Sequence, residues 1–196
     1  LIERLLTPEP SRPEAHTAPR RLCFPESAPC PLTARHCVRC RSRRLGGSGA
    51  SGGAAVIGRN LPYFGGCEAD RNTMTGDHWL LDLDAPGLGW QPLASMPEPR
   101  CHLAGAALGG EVWAVGGQFG HDISPQDTRW VHAYDPGTDS WRQGPLLPEA
   151  RSHFEPGMFV ENGNSYIGAG KDLTTGRDIL SDMLELDPVL GVWSYL

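Results

Sequence analysis

The sequence predicts an all-β fold built from about three copies of one four-stranded antiparallel unit. A pattern with a spacing of about 51 residues occurs three times after residue 52. Each copy contains short runs rich in β-branched and aromatic residues, separated by turn residues, as is typical of strands joined in succession. The chain of 196 residues also holds 25 Gly and 18 Pro, a composition that disfavours long helices.

Three marks stand at corresponding places in the three copies. A small dipeptide follows the second predicted strand, an Asp follows the third, and a Trp stands six residues after that Asp. The marks are Gly65, Gly66, Asp84 and Trp90 in the first copy, Gly116, Gly117, Asp135 and Trp141 in the second, and Ala169, Gly170, Asp187 and Trp193 in the third. The predicted copies cover about 53–100, 101–151 and 152–196.

The residues of each copy predict four strands. In the middle copy they lie at 103–108, 112–115, 130–134 and from about 141, with turns at 109–110 and 135–139. The Gly, Pro and Asp residues of those turns favour chain reversal. The corresponding strands are predicted at 54–57, 61–64, 79–83 and about 90 in the first copy, and at 157–160, 165–168, 183–186 and 192–195 in the third.

These marks resemble the kelch repeat, whose units of about 50 residues form the blades of a β-propeller. The resemblance covers residues 53–196, is strongest at 112–141, and is weakest where Gly168-Ala169-Gly170 replaces an aliphatic residue and a diglycine. It implies an incomplete β-propeller of about three blades, closed by further blades or by a second copy. We expect the repeated Trp residues to wedge between neighbouring blades, and the end blades to leave aromatic faces such as that of Trp193 without a neighbour.

Residues 1–52 differ in composition from the rest. They hold nine Arg and seven Pro against four Glu, a local charge of +5, and few large apolar residues. Such a segment cannot offset the entropy of ordering, so we predict a disordered tail. Its cysteines at 23, 30, 37 and 40 include one C-x-x-C pair, which leaves a structural zinc site as an alternative.

Composition also excludes some classes of function. The formal net charge of −6 argues against nucleic acid as a partner, because that binding needs a basic surface. No run of 18 apolar residues that could span a membrane occurs in the sequence. Cys67 and Cys101 stand alone after the tail and imply no disulfide framework. The residues do not indicate a cell compartment.

The candidate binding surface follows from strand alternation. In an antiparallel blade the connections alternate between two faces, and binding residues concentrate on loops held by a rigid scaffold. The long loops 67–78, 118–129 and 171–181 and the links 96–102 and 147–153 share one face, here called the long-loop face. Its candidate binding residues are Arg71, Arg100, His102, His121, Asp122, Arg151, His153 and Lys171.

The repeated Arg-x-His within this set has two interpretations. Arg100 with His102, and Arg151 with His153, could ring a channel mouth and engage an anionic or hydroxyl-rich ligand. Alternatively, the arginines form ion pairs between blades and the histidines are structural. Their periodicity favours the structural interpretation, since duplication of blades copies structural residues.

The resemblance implies a noncatalytic recognition module that binds a protein or glycan partner through the long-loop face. The alternative is a propeller enzyme acting on sugars, similar to sialic-acid mutarotases or to galactose oxidase. No catalytic residue, metal or cofactor is predicted. The spacing of Glu98 and His102, repeated as Glu149 and His153, lacks the further acidic residue of an iron site. No Tyr stands beside the two cysteines for copper-radical chemistry.

Overall fold

The structure is a computed structural model that describes residues 50–176 and 179–196. The predicted disordered tail and its four cysteines lie outside the described residues, except for the last three residues of that tail. The boundary at residue 52 therefore stays a prediction.

Within the described residues, three four-stranded antiparallel sheets follow one another along the chain. Blade 1 consists of β1 (Gly53–Ala54), β2 (Asn60–Phe64), β3 (His78–Asp82) and β4 (Gln91–Pro92). Blade 2 consists of β5 (Ala104–Leu108), β6 (Glu111–Val115), β9 (Val131–Asp135) and β10 (Ser140–Gln143). Blade 3 consists of β11 (Met158–Glu161), β12 (Asn164–Gly168), β13 (Met183–Asp187) and β14 (Val192–Tyr195).

The predicted all-β class and the three four-stranded antiparallel blades are confirmed. Short 3-10 turns occupy Pro86–Leu88 and Glu155–Gly157. The outer strands of blade 1 are shorter than predicted. β1 ends at Ala54, and only an isolated bridge from Ile57 to Asn60 continues it. β4 ends at Pro92, which has no N–H to donate to a further ladder.

One small element within the second long loop was not predicted. β7 (Gln118–Phe119) and β8 (Gln126–Asp127) pair as a two-stranded antiparallel sheet. Strands of two residues show no period in the sequence. This hairpin gives the loop a fixed shape on the long-loop face.

The repeated diglycine lets the chain pass close beneath the next blade link. Gly116 has φ 58° and Gly117 has φ 111°, both in the region that favours glycine. A Cβ on Gly116 would stand 2.4 Å from the carbonyl oxygen of Arg151. In the third copy Ala169 adopts φ 61° at the place of Gly116, so the left-handed conformation survives even where the sequence departs from the diglycine.

The hydrophobic core lies between the blades. One cluster of buried side chains joins blades 1 and 2, and it includes Phe64, Leu103, Val112, Ala114 and Tyr134. A second cluster joins blades 2 and 3, and it includes Trp113, Val115, Ile167, Leu184 and Leu186. Each sheet therefore buries its faces against neighbouring sheets, as stacked repeats do.

Two of the repeated tryptophans wedge between blades as predicted. Trp141 of blade 2 donates its Nε1–H to Ala94 O of blade 1 at 2.8 Å. Trp193 of blade 3 donates its Nε1–H to Pro145 O of blade 2 at 3.0 Å. Each indole thus packs on the blade that precedes it.

The expectation that Trp193 lacks a neighbour is therefore wrong. Trp193 is only 8% exposed because blade 2 covers it. The indole at the unpaired end is that of Trp90, since no blade precedes blade 1 among the described residues. Trp90 is half-buried and meets Tyr63 edge to face, with ring centroids 6.4 Å apart.

Candidate functional site

Loops from all three blades meet on the long-loop face. Arg71 of the first loop places its Nη2 3.2 Å from His121 Nδ1 and 3.0 Å from Asp122 Oδ1 in the second loop. Thr174 of the third loop accepts a hydrogen bond from the backbone N–H of Asp127 in the second, at 2.9 Å. The candidate residues Arg71, His121 and Asp122 are thereby brought together.

Three residues at corresponding positions of the repeat are joined by backbone hydrogen bonds on this face, and they are here called the ring segment. Ser51, His102 and His153 occupy corresponding positions and have φ of 66°, 50° and 56°. His102 N donates to Ser51 O at 2.8 Å, and His153 N donates to His102 O at 3.2 Å. A positive φ is uncommon for residues other than glycine, so these hydrogen bonds hold an unusual backbone. Sequence reasoning missed Ser51, although its spacing of 51 residues from His102 was visible.

Three imidazoles stack on this ring segment. His102 lies between the other two, with its ring centroid 3.8 Å from that of His153 and 4.8 Å from that of His121. Each ring has an oxygen partner at its Nδ1. These are Glu155 Oε1 at 3.3 Å for His102, Asp122 Oδ1 at 2.6 Å for His121, and Ser152 Oγ at 2.7 Å for His153.

Burial and neighbouring charge set the protonation of this stack. Burial, with further contributions from His102 and Lys171, lowers the pKa of His153 to about 4. Burial acts to raise the pKa of the Glu155 carboxyl, but hydrogen bonds from His102 and from the backbone, together with the charges of His102 and His153, lower the pKa below its usual value. At neutral pH His153 is therefore neutral and Glu155 is ionised.

Arg100 lies beneath this face. It is fully buried, and its Nε, Nη1 and Nη2 donate to the carbonyl oxygens of Gly116, Glu98 and Ala114 at 2.5, 2.9 and 3.2 Å. Burial lowers its pKa to about 9. Among the described residues Arg100 makes no ion pair, contrary to the expectation, because its hydrogen-bond partners are backbone carbonyls. The buried guanidinium is not placed to contact a ligand.

Arg151 is buried in the same manner in the next blade link. Its Nη1 donates to Ala169 O at 2.6 Å, and its Nη2 pairs with Asp182 Oδ1 at 2.7 Å. The structural interpretation of the repeated Arg thus describes Arg151 well. The other six candidate residues are exposed or half-buried on the long-loop face.

Lys171 and the pair of Arg71 with Asp122 form the exposed part of the site. The side chains of Arg71 and Asp122 are 59% and 44% exposed. Lys171 is exposed and makes no ion pair within the described residues. A polar, mostly cationic rim therefore surrounds the half-buried imidazole stack.

The described residues contain no group of three or more His, Cys, Asp or Glu side chains that could hold a metal ion. Cys67 and Cys101 are buried free thiols. Burial raises the pKa of both, that of Cys101 to about 12. Thiols in this state are poor nucleophiles and ligands, because the thiolate is the reactive form.

Comparison with known proteins identifies the repeat. A sequence profile of the Kelch motif matches residues 99–146, which include β5 to β10 and the diglycine at 116–117. Residues 99–146 are therefore a kelch repeat. The expected resemblance to the kelch family, drawn from the diglycine and the Asp-to-Trp spacing, is confirmed.

Several curated proteins share this sequence region. Kelch repeat and BTB domain-containing protein 12 of Danio rerio is 26% identical to the kelch chain over 85% of this chain and 26% of that protein. Kelch-like protein 30 of Homo sapiens is 34% identical over 44% of this chain and 14% of that protein. An F-box/kelch-repeat protein of Arabidopsis thaliana is 25% identical over 72% of this chain and 34% of that protein. The kelch chain thus spans about a third or less of each relative.

A solved structure shares the fold. The structure of YjhT superposes on the kelch chain with a TM-score of 0.61 and 22% sequence identity, over 74% of this chain and 49% of that one. The chain is accordingly an incomplete β-propeller with about three blades. In its described part no helix is both long and apolar enough to cross a lipid bilayer.

Proposed function

We propose that this kelch chain is a noncatalytic recognition module that binds a protein partner through its long-loop face. The observation that carries the proposal is the exposed polar rim of Arg71, Asp122 and Lys171 around the imidazole stack. Loops fixed on a rigid scaffold present such groups without a large ordering cost on binding.

The internal pairing of the site favours binding over catalysis. Arg100 is held by three backbone carbonyls and Arg151 by a carbonyl and a carboxylate. The Nδ1 atoms of the stacked histidines already have oxygen partners. These groups fix the shape of the face, whereas a general base must be free to reach the proton of a substrate.

The names of the relatives support the same proposal. Two of them join kelch repeats to a BTB domain or to an F-box in one protein. In those proteins the kelch region is one part of a longer chain. A module that contacts a partner while other domains do other work fits this arrangement.

The test is affinity capture with charge-reversal variants. The immobilised chain, its Arg71→Glu and Lys171→Glu variants, and Arg59→Glu are incubated with lysate of the source cells, and bound proteins are identified by mass spectrometry. Arg59 is an exposed Arg that pairs with Asp84 on the opposite face at 2.9 Å, so its variant is a control of equal charge change. We expect a protein bound by the wild type and by the control to be lost with the two face variants. Equal capture by all four chains would contradict the proposal.

A further inference from the structure

A cavity of about 420 Å³ lies beside the β7–β8 hairpin on the long-loop face. Its walls combine apolar and polar side chains, among them Phe119, Asp127, Thr128, Arg129, Trp130 and Leu146. Cavities of this size, lined mainly by apolar groups with a few placed polar ones, are typical of ligand sites. Sequence reasoning did not find it, because the hairpin that shapes it has no periodic signal.

Two polar side chains in the cavity wall are buried and incompletely bonded. Asp127 and Thr128 are each 7% exposed. Thr128 Oγ1 makes no hydrogen bond within the described residues. The Asp127 carboxylate accepts from Leu173 N at 2.5 Å and interacts with the Ser152 side chain, which leaves part of its acceptor capacity unused. A buried polar atom without a partner destabilises the structure, because it has lost its hydrogen bonds to water. The cavity therefore suits a ligand that donates hydrogen bonds to these oxygens.

Arg129 adds a positive charge with a fixed direction. Its Nε donates to Leu147 O at 2.5 Å. Its terminal amino groups make no ion pair within the described residues, and the residue is exposed to solvent. A guanidinium anchored at Nε presents its remaining N–H groups as a fork that matches a carboxylate. This cation stands out because residues 53–196 carry 8 Lys and Arg against 19 Asp and Glu.

An apolar wall faces the same space. Phe119 and Trp130 meet edge to face with ring centroids 5.0 Å apart, and Leu146 is 43% exposed. Half-buried aromatic rings and an exposed leucine beside a cation without an ion pair favour a ligand with an apolar group close to its anionic group.

We propose that this cavity binds a peptide that carries a carboxylate next to an apolar side chain. Arg129 takes the carboxylate, Phe119, Trp130 and Leu146 take the apolar side chain, and peptide N–H groups donate to Asp127 and Thr128. The inference rests on the proposed function and names the class of partner segment that the long-loop face recognises. The carboxylate comes either from an acidic side chain or from a chain terminus, and the two sources are distinguished by experiment.

The test begins with a random heptapeptide library selected on the immobilised full chain. We expect enrichment of peptides with Asp, Glu or a free C-terminus beside Leu, Ile, Phe or Trp. The enriched peptides are then synthesised with a free acid or an amide at the C-terminus, and with Gln or Asn in place of the acidic residue. Loss of binding with the amide identifies a terminal carboxylate, and loss with Gln or Asn identifies a side chain. A library that yields no binders, or binders without a carboxylate, overturns the proposal.

Variants then locate the binding. Fluorescence anisotropy should show that Arg129→Gln raises the Kd by about tenfold or more, as loss of a charged hydrogen-bonded pair does. Arg59→Gln, which removes the same charge on the opposite face, should leave the Kd within about twofold. Circular dichroism checks that both variants keep the native spectrum, and Thr128→Val gives a second, uncharged change in the cavity. An unchanged Kd for both Arg129→Gln and Thr128→Val overturns the proposal.

The two proposals fail in different ways. If Lys171→Glu and Arg71→Glu abolish partner capture while Arg129→Gln does not, the recognition face stands and the peptide cavity is wrong. If the cavity variants abolish peptide binding while the rim variants leave partner capture unchanged, the cavity stands and the rim is wrong. Binding of a glycan on an array that is lost with Arg129→Gln, without peptide binding, also overturns the peptide proposal.

Discussion

At the scale of single residues, one carbonyl oxygen organises the junction of blades 1 and 2. Ala94 O accepts from Trp141 Nε1 at 2.8 Å and lies 3.1 Å from His78 Nδ1. The Tyr134 ring meets the His78 ring at right angles with centroids 4.4 Å apart, and its hydroxyl donates to Asp139 Oδ1 at 2.7 Å. Asp139 Oδ1 also accepts from Ala94 N at 2.9 Å, so the network closes on itself.

Truncation of the wedge residue should weaken this junction. We expect Trp141→Ala to lower the free energy of unfolding by about 3 kcal/mol or more, since it removes a large aromatic contact and a hydrogen bond. Chemical denaturation of the full chain measures the change. Val189→Ala, at a position 91% exposed, serves as the control and should stay within about 0.5 kcal/mol. Equal losses for both variants would contradict the role given to Trp141.

Acid should destabilise the chain through its buried histidines. Burial lowers the pKa of His78 to about 4, and burial with Arg100 lowers that of His132 to about 4. Because both values lie below the usual His pKa of about 6.5, the unfolded chain binds these protons first as the pH falls. Stability should be full above about pH 6.5 and decrease between pH 6.5 and 4, by about 2–3 kcal/mol at pH 4.5 for His78 alone.

Denaturation at pH 7.5 and 4.5 measures this dependence. His78→Gln should be less stable than the wild type at pH 7.5, and its stability should change less between the two pH values. A wild type with the same stability at both pH values would show that these histidines are not buried as neutral groups.

At the scale of elements, the sequence predicts the strands of blades 2 and 3 to within about one residue at each end. Periodicity and turn residues carry this information locally, as at Gly109-Gly110 and Asn162-Gly163. What the sequence could not show is where a repeated side chain points. Arg100 and His102 recur with the same period, yet Arg100 bonds carbonyls inside the fold while His102 lies in the imidazole stack. Arg100 and its counterpart Arg151 donate to carbonyls that stand 14–18 residues further along the chain. Only the folded structure brings those carbonyls within reach of the guanidinium groups.

The diglycine allows a test of element packing with a matched control. Gly116 and Gly109 have φ of 58° and 62°, but a Cβ would meet Arg151 O at 2.4 Å from Gly116 and nothing within 4 Å from Gly109. Gly109→Ala should cost about 1–2 kcal/mol, which is the conformational cost of a left-handed alanine. Gly116→Ala should cost clearly more, because the blade link above it must also move. Thermal and chemical unfolding measure both, and equal costs would contradict the close approach of the link.

At the scale of the whole described region, the three blades form an arc with an open face at blade 3. Met158 and Ile167 pack toward blade 2, so Phe159 and Tyr166 occupy the other face of the same strands. Their rings stack with centroids 5.1 Å apart, and Phe159 is 47% exposed. In a longer propeller this face would be covered by another blade.

The open face should make the isolated chain associate with itself. Size-exclusion chromatography with light scattering should detect dimers or larger species, and Phe159→Glu should shift the distribution toward monomer because a charge cannot be buried there without a partner. A ring of two copies would give a discrete dimer. A wild-type monomer with a cooperative melting transition would show that the arc is sufficient by itself.

The ring segment of Ser51, His102 and His153 joins successive blades by the same backbone hydrogen bond. This regularity bears on how the number of blades can change. The backbone N–H of one ring residue donates to the carbonyl of the residue before it, and the sequence spacing between them is 51 residues. Deleting residues 102–152 removes one donor and one acceptor together and brings His153 next to Ser51 in the order of the ring. Inserting a copy of the same segment adds one of each. We therefore expect a change of blade number by recombination at the ring positions to leave the same backbone hydrogen bond at each junction.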